Sequence, residues 1–190
     1  VQNTSGTITS FTLSGSKFSN NSQTTGNHGA LVDIGGTSTL TTGSVSSSEF
    51  KDNFSIGLQV VANGSATIGS FTVDGNSFAG TSTGATTGTQ EIALDASKSG
   101  TSSATFLIQN NTVTGHNSHG MNVFSGAGAG TGGQLRARVV NNTIGSAVAL
   151  SSGSQIGNCL RVNLNGDSAD TVLVGNNVLR QCPNGRGIEV

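Results

Sequence analysis

The amino-acid sequence predicts an all-β fold, a right-handed parallel β-helix of about six coils whose strands form three parallel sheets. Three observations support this prediction. A six-residue frame recurs along the chain, strand-like segments keep fixed places around it, and like residues occupy equivalent positions of successive frames. The repeat runs through all 190 residues, so we expect residues 1–190 to form a single solenoid domain. The crossover rule for parallel strands gives the expected right hand.

The recurring frame is best seen in Ile108–Val113. Two apolar residues flank a polar pair, Asn110-Asn111, that can turn the backbone. A repeat of about 30 residues falls within the range of roughly 20–50 residues that is typical of solenoids and propellers. Six copies of the frame begin at residues 13, 45, 73, 108, 139 and 174.

Each period also carries strand-like segments. A strand leads into the frame, as in Ala104–Ile108, and a second strand follows it, in which a small residue precedes alternating apolar positions. Alternation with a period of two predicts a half-buried strand. Each period therefore reads as strand, turn, short strand, turn, strand and loop. The segments of the second type are Leu31–Ile34, Gly57–Val60, Ile92–Leu94, Gly120–Val123, Leu160–Val162 and Gly187–Val190.

Like residues at equivalent positions favour a parallel stack over other repeat folds. The periods are too short for a propeller blade of about 40–45 residues, and the spacing of a leucine-rich repeat is absent. Parallel strands in register place equivalent side chains about 4.8 Å apart, where Asn amides can form a ladder. Two interior Phe columns are also expected, Phe11 with Phe71 and Phe106, and Phe18 with Phe50 and Phe78. The fourth frame position is occupied by Ser16, Ser48 and the predicted structural ladder of Asn76, Asn111, Asn142 and Asn177.

Composition restricts the possible partners. Charged residues make up 9% of the chain and the net charge is −1, so no basic surface is expected to bind nucleic acid. No segment is apolar enough to cross a bilayer, and no signal peptide is recognisable. Because the chain begins without Met and stops within Gly187–Val190, we interpret it as a processed form or a segment of a longer protein.

The polar turns, such as Asn110–Thr112, and the strands with a Gly followed by alternating apolar residues resemble those of right-handed parallel β-helix repeat proteins. This group includes pectate-lyase-like enzymes, phage tailspikes, autotransporter passengers and bacterial surface adhesins. The resemblance covers the whole chain and implies the fold strongly but the activity hardly at all. It also implies a groove along the sheet built from the second strands, with these outward positions: Val32, Gln59, Ala93, Asn122, Arg161 and Glu189.

This row does not contain the residues that the family's enzymes would need. The resemblance implies several carboxylates around Ca²⁺ with a basic residue for a lyase, or two to three carboxylates for a glycosidase. The row offers only Arg161 and Glu189, which we interpret as a surface ion pair. We therefore predict no catalytic residue and no cofactor. Gln59, Asn122, Arg161 and Glu189 remain the candidate ligand-binding residues.

No metal site is predicted either. His28 and His119 occupy equivalent places before a Gly but lie three coils apart, which is about 14 Å and too far for one ion. Asp33 and Asp95 lie two coils apart, on the order of 10 Å. His116 could approach His119, but no Cys or carboxylate completes the set.

Two Arg residues and one Phe have open interpretations. Arg136 and Arg138 alternate with apolar residues and should face solvent on one strand. They could contact an anion or an acidic glycan, or they could form an exposed face that discourages aggregation, and we prefer the second interpretation. Phe124 is the one aromatic residue expected outside the core, which weakens a lectin-like interpretation because carbohydrate stacking uses exposed aromatic rings.

Cys159 and Cys182 are the only cysteines. Stacking brings their segments together in adjacent coils, so we prefer a disulfide over two unrelated buried thiols. A disulfide would indicate an oxidising compartment, and we expect an extracellular or bacterial cell-surface location.

The leading functional prediction is a non-catalytic extracellular structural or adhesive module, a stalk or surface-presented repeat region that could contact cell-surface glycans. The alternative is a β-helix of the polysaccharide lyase or glycoside hydrolase type whose catalytic residues lie largely outside this segment. In either case, unpaired strands at the two ends need cover. We expect further coils, another domain or another chain to lie against them.

Overall fold

The computed structural model describes residues 1–21, 28–80, 92–126, 132–149, 152–165 and 169–190. Nineteen strands, numbered along the chain, form three sheets in these residues. Sheet A contains β1 (Gln2–Asn3), β4 (Ala30–Ile34), β7 (Ile56–Ala62), β10 (Ile92–Lys98), β13 (Met121–Ser125), β16 (Leu160–Leu164) and β19 (Ile188–Glu189).

Sheets B and C alternate with sheet A along the chain. Sheet B contains β2 (Thr7–Ser14), β5 (Thr39–Ser46), β8 (Thr67–Asp74), β11 (Ser103–Gln109), β14 (Leu135–Val140) and β17 (Thr171–Gly175). Sheet C contains β3 (Lys17–Ser19), β6 (Glu49–Lys51), β9 (Ser77–Ala79), β12 (Thr112–Thr114), β15 (Thr143–Ile144) and β18 (Val178–Leu179).

Every strand pairs in parallel with its equivalent one coil away, so the chain is a parallel β-solenoid and the predicted fold class is confirmed. Parallel neighbours need a long connection between them, and here the other two strands of the coil provide it. No helix in the described part of the chain is long and apolar enough to cross a membrane.

The core is a set of apolar columns along the solenoid axis. Phe18, Phe50 and Phe78 are in register on sheet C, with ring centroids 5.1 and 4.9 Å apart. On sheet B, Phe11 and Phe71 lie on either side of Gly43. A Cβ atom at Gly43 would overlap the Phe71 ring, so this layer requires glycine. Both predicted Phe columns are present, since Phe106 pairs with Phe71.

The polar pair of each frame makes the corner between sheets B and C. Its first residue adopts a left-handed backbone, with φ of 56° at Asn110, 59° at Asn141 and 54° at Asn176. Asn and Gly tolerate this conformation better than other residues, and the equivalent Gly15 and Gly75 have φ of 59° and 64°. The first Asn of each pair therefore turns the chain, and the second is free to stack.

The second residues of the pairs form a continuous hydrogen-bonded ladder. From Asn111 onward, each Asn Oδ1 accepts the backbone N–H and the Nδ2 of the Asn in the preceding coil, as Asn142 does from Asn111 at 3.0 and 3.0 Å. Asn76 Oδ1 accepts the backbone N–H of Ser48 at 3.0 Å. The Asn Nδ2 also donates to a backbone carbonyl of the preceding coil, as Asn142 does to Ile108 at 3.0 Å. Asn76, Asn111, Asn142 and Asn177 all take part.

Candidate binding face of sheet A

The outward row of sheet A is fixed by the strand register. Gln59 pairs with Leu31 on one side and Asp95 on the other. Asp95 pairs in turn with Asn122. The row therefore brings together Leu31, Gln59, Asp95, Asn122, Arg161 and Glu189.

Two expected members of this row were wrong. Val32 pairs with Val60, faces the core and is 2% exposed, so Leu31 takes its place. Ala93 is fully buried. It precedes Leu94, which pairs with Leu58, so Ala93 is equivalent to the buried Gly57 and the outward residue of β10 is Asp95. Both errors come from the phase of the alternation, because a shift of one residue exchanges the two faces of a strand.

Asp95 is the centre of the row. Its side chain is almost buried, with 6% exposure, and its carboxylate accepts hydrogen bonds from three neighbours. Gln59 Nε2 donates at 2.9 Å, Ser97 Oγ at 3.0 Å and Asn122 Nδ2 at 2.7 Å. An ionised carboxylate needs such donors when it leaves water. Asn122 Oδ1 is buried and has no hydrogen-bond partner among the described residues.

Arg161 and Glu189 end the row near the last coil. Arg161 Nε lies 3.9 Å from a Glu189 carboxylate oxygen, and Arg186 approaches the same carboxylate at 3.6 Å. Asn158 Nδ2 also donates to Glu189. These groups are partly exposed, so the ion pairs contribute at most about 1 kcal/mol, and they orient the two side chains more than they stabilise the fold.

Two half-buried histidines flank the row. Burial lowers the pKa of His28, and the nearby Asp95 carboxylate opposes this effect. Burial also lowers the pKa of His119, and Arg161 lowers it further, whereas Glu189 and Asp95 raise it. His119 Nδ1 accepts a hydrogen bond from the Asn158 backbone N–H at 3.1 Å, which requires an unprotonated Nδ1. Within the described ranges, no cluster of three or more His, Cys, Asp or Glu side chains is placed to hold a metal ion.

The chemistry available on this face is hydrogen bonding. A cavity of about 410 Å³ runs along the row, and Gln59, Asp95, Asn122, Phe124 and Arg161 are among its lining residues. Asp95 and Glu189 are separated by three strand spacings, about 14 Å. The paired carboxylates of a glycosidase stand about 5–9.5 Å apart. The arrangement therefore suits binding through amides and charges better than it suits general acid–base catalysis.

The disulfide lies at the end of the solenoid beside this face. Cys159 and Cys182 are bonded, with Cα atoms 5.8 Å apart, and link residues separated by 23 positions. Cys159 is fully buried next to β16. The bond ties the segment after β18 to the preceding coil.

The fold and its stacked columns define the chain as a parallel β-solenoid protein. In comparisons with known proteins, no family model, no curated protein and no solved structure matches the chain. The site therefore has to be interpreted from its own residues.

Sequence reasoning missed two features of sheet A. Asp95 and Ser97 belong to the outward face, and counting the alternation of β10 from Leu94 would have placed both there. Lys98 pairs with the inward-facing Ala62 and is only 2% exposed. No sequence signal places a Lys side chain in a core, since lysine is rarely buried without a partner.

Proposed function

We propose that the chain is a non-catalytic extracellular structural module, a rigid stalk or surface-presented repeat region of the kind found in adhesins and autotransporter passengers. The observation that carries this proposal is the Asn ladder, in which each layer bonds to the next from Ser48 through Asn177. Stability in such an array is the sum of the layers and their interfaces. A stack of layers bonded in this way would serve as a stiff rod that presents the outer faces of its sheets.

Two further observations support the proposal. The sheet A row keeps its carboxylates far apart, and Asp95 is already held by three neutral donors. The disulfide between Cys159 and Cys182 is compatible with an oxidising, extracellular location.

The first and last strands of the solenoid leave apolar side chains exposed that a further coil, another domain or another chain would cover. On the last strands, apolar side chains are exposed, among them Leu173 at 52% and Ile188 at 43%. On the first strands, Phe11 and Phe18 are only half-buried although their columns are core columns. Unpaired strand edges next to apolar surface promote association. We propose that further coils, another domain or another chain lie against these ends.

The test of the structural proposal is a search for glycan cleavage. The purified chain is incubated with a panel of neutral and acidic polysaccharides, and new reducing ends and unsaturated uronates are measured. A stalk produces neither. Cleavage by the wild type that disappears in Asp95→Asn would overturn the proposal. Asn163→Ala, on the same sheet, is the matched control.

A second candidate is a polysaccharide-acting β-helix, and one observation favours it. Asp95 is an almost buried carboxylate that lines a cavity which Arg161 also lines, and ligand sites place a few polar groups in such concave surfaces. An enzyme of this type would need a second carboxylate from outside the described residues. The same cleavage assay decides between the two candidates.

A further inference from the structure

A second groove lies on the outer face of sheet B, where β8 meets β11. The register shifts there, because β8 has one more residue than β11 between two aligned pairs. Ile68 pairs with Ala104, and the next aligned pair is Phe71 with Phe106. An extra residue of this kind bends a strand and increases its local twist. The groove at this step has a volume of about 590 Å³, within the range of about 300–1,000 Å³ for ligand sites.

The charges of this groove are all positive among its described lining residues. Arg136 and Arg138 both lie on β14, are both exposed and are two positions apart, so their side chains project from the same face. Gln134 Oε1 accepts a hydrogen bond from Arg136 Nε at 2.8 Å, which orients that guanidinium. Neither Arg forms an ion pair with a described carboxylate. The groove therefore presents two cations, one of them oriented by Gln134. The Asp170 carboxylate, which precedes the lining residue Thr171 in the chain, accepts the Leu135 backbone N–H at 2.7 Å.

The rest of the lining is neutral. Thr72, Thr105 and Thr171 supply hydroxyl groups, and Leu107 and Leu173 supply an apolar surface. Hydroxyls can hydrogen-bond to sugar hydroxyls, and leucine side chains can pack against the C–H faces of sugar rings. The backbone groups of β8, β11 and β14 are used on both sides in the ladders of sheet B, so a peptide can add a strand only at the outer edge of β17 and not across these three strands.

We propose that this groove binds an anionic polysaccharide, with Arg136 and Arg138 contacting its carboxylate or sulfate groups. Guanidinium groups match the planar, bidentate geometry of such anions. Nucleic acid is disfavoured because it is bound by many phosphate contacts, whereas this chain has two cations here and a net charge of −1. The groove is on a different sheet from the Asp95 row, so this inference and the structural proposal can fail separately.

Binding is measured by isothermal titration calorimetry with polygalacturonate, dextran sulfate and neutral dextran at low salt. We expect at least one of the two anionic glycans to bind and neutral dextran not to bind. The comparison of the two anionic probes shows whether the site takes uronates or sulfates. The double variant R136Q/R138Q should weaken binding by at least about tenfold, the equivalent of one charge-assisted contact. Its binding should also depend less on salt.

The matched control is Arg186→Gln, which removes an exposed Arg that lies near sheet A. A second test variant is Thr105→Glu, which adds a carboxylate to the groove at an exposed position. It should abolish binding without removing either Arg. Circular dichroism verifies that all variants fold.

Three outcomes would overturn the inference. The first is that the wild type binds neither polygalacturonate nor dextran sulfate. The second is that R136Q/R138Q and Thr105→Glu bind as the wild type does. The third is that a DNA duplex or poly-glutamate binds as tightly as the glycan and is equally sensitive to these substitutions, which would identify a general anion surface.

Discussion

The Asn ladder makes a quantitative prediction for the substitution Asn142→Ala. Asn142 is 1% exposed and lies between Asn111 in one layer and Asn177 in the next. The substitution removes the acceptor of the Asn111 backbone N–H and of one Asn111 Nδ2 hydrogen bond, each at 3.0 Å. It also removes the Nδ2 donor to the Ile108 and Val140 carbonyls and to Asn177 Oδ1. The hydrogen bond from the Asn142 backbone N–H to Asn177 is kept.

The size of the effect follows from the groups that lose a partner. A buried donor without an acceptor costs about 1–3 kcal/mol, and each further lost hydrogen bond costs about 1 kcal/mol. We therefore expect Asn142→Ala to lower the free energy of unfolding by at least about 4 kcal/mol. For a chain of this length, about 4 kcal/mol corresponds to a decrease of roughly 8–16 °C in Tm.

The assay is urea unfolding followed by circular dichroism, with two comparison variants. Asn177→Ala breaks the ladder where the residue is only half-buried, so water can replace lost partners and the loss should be about 1 kcal/mol. Asn163→Ala, whose side chain makes no hydrogen bond with a described residue, should change stability by less than about 0.5 kcal/mol. The reasoning is refuted if Asn142→Ala is no worse than Asn163→Ala.

The remaining predictions concern the ladder, the disulfide and pH. Ser48→Asn should extend the ladder by one layer, since Ser48 already donates its N–H to Asn76 Oδ1, and should raise stability by about 0.5–1 kcal/mol in urea unfolding; a decrease would contradict it. Cys159→Ser/Cys182→Ser should lose about 3 kcal/mol for a loop closed across 23 positions, and unchanged unfolding would show that the bond contributes nothing. The folded-state pKa of His119 lies below its ordinary value of 6.5, so the unfolded chain binds the proton first. Stability should therefore be constant above about pH 6.5 and fall below it, and His119→Gln should reduce that slope in urea midpoints measured from about pH 8 to pH 5. An identical slope in the variant would exclude His119 as a cause.

The fold could be predicted from sequence because the corner chemistry repeats. In Asn110-Asn111 and Asn141-Asn142, the first residue has a left-handed backbone and the second bonds to its equivalent in the next coil. A pair of this kind that recurs in every period is expected at the corner of a parallel β-solenoid and in few other structures. The Phe columns add a second, independent match, because equivalent aromatic residues stack only when coils are in register. The periods differ in length at positions outside the Asn corners and the Phe columns. The repeat of these Asn and Phe residues can therefore still be recognised in the sequence.

The candidate site was harder to predict because it depends on strand phase. A small residue opens the sheet A strand at Gly57 and again at Ala93, and only the register shows that these two are equivalent. Because the sequence analysis assigned Ala93 to the outward face, it missed Asp95, whose carboxylate accepts hydrogen bonds from Gln59 and Asn122 in this row. The groove on sheet B depends on a register shift between β8 and β11, which no local pattern indicated.

Like residues stack in columns along the solenoid, and a double-mutant cycle measures this stacking as an energetic coupling between neighbouring layers. Asn111→Ala and Asn142→Ala lie in adjacent layers and share hydrogen bonds. Residues in one hydrogen-bond network typically show coupling energies of about 0.5–3 kcal/mol, whereas distant pairs are additive. We predict coupling of about 1 kcal/mol or more for this pair and additivity within error for Asn142→Ala with Asn163→Ala. Additive effects of Asn111→Ala and Asn142→Ala would contradict the stacked column.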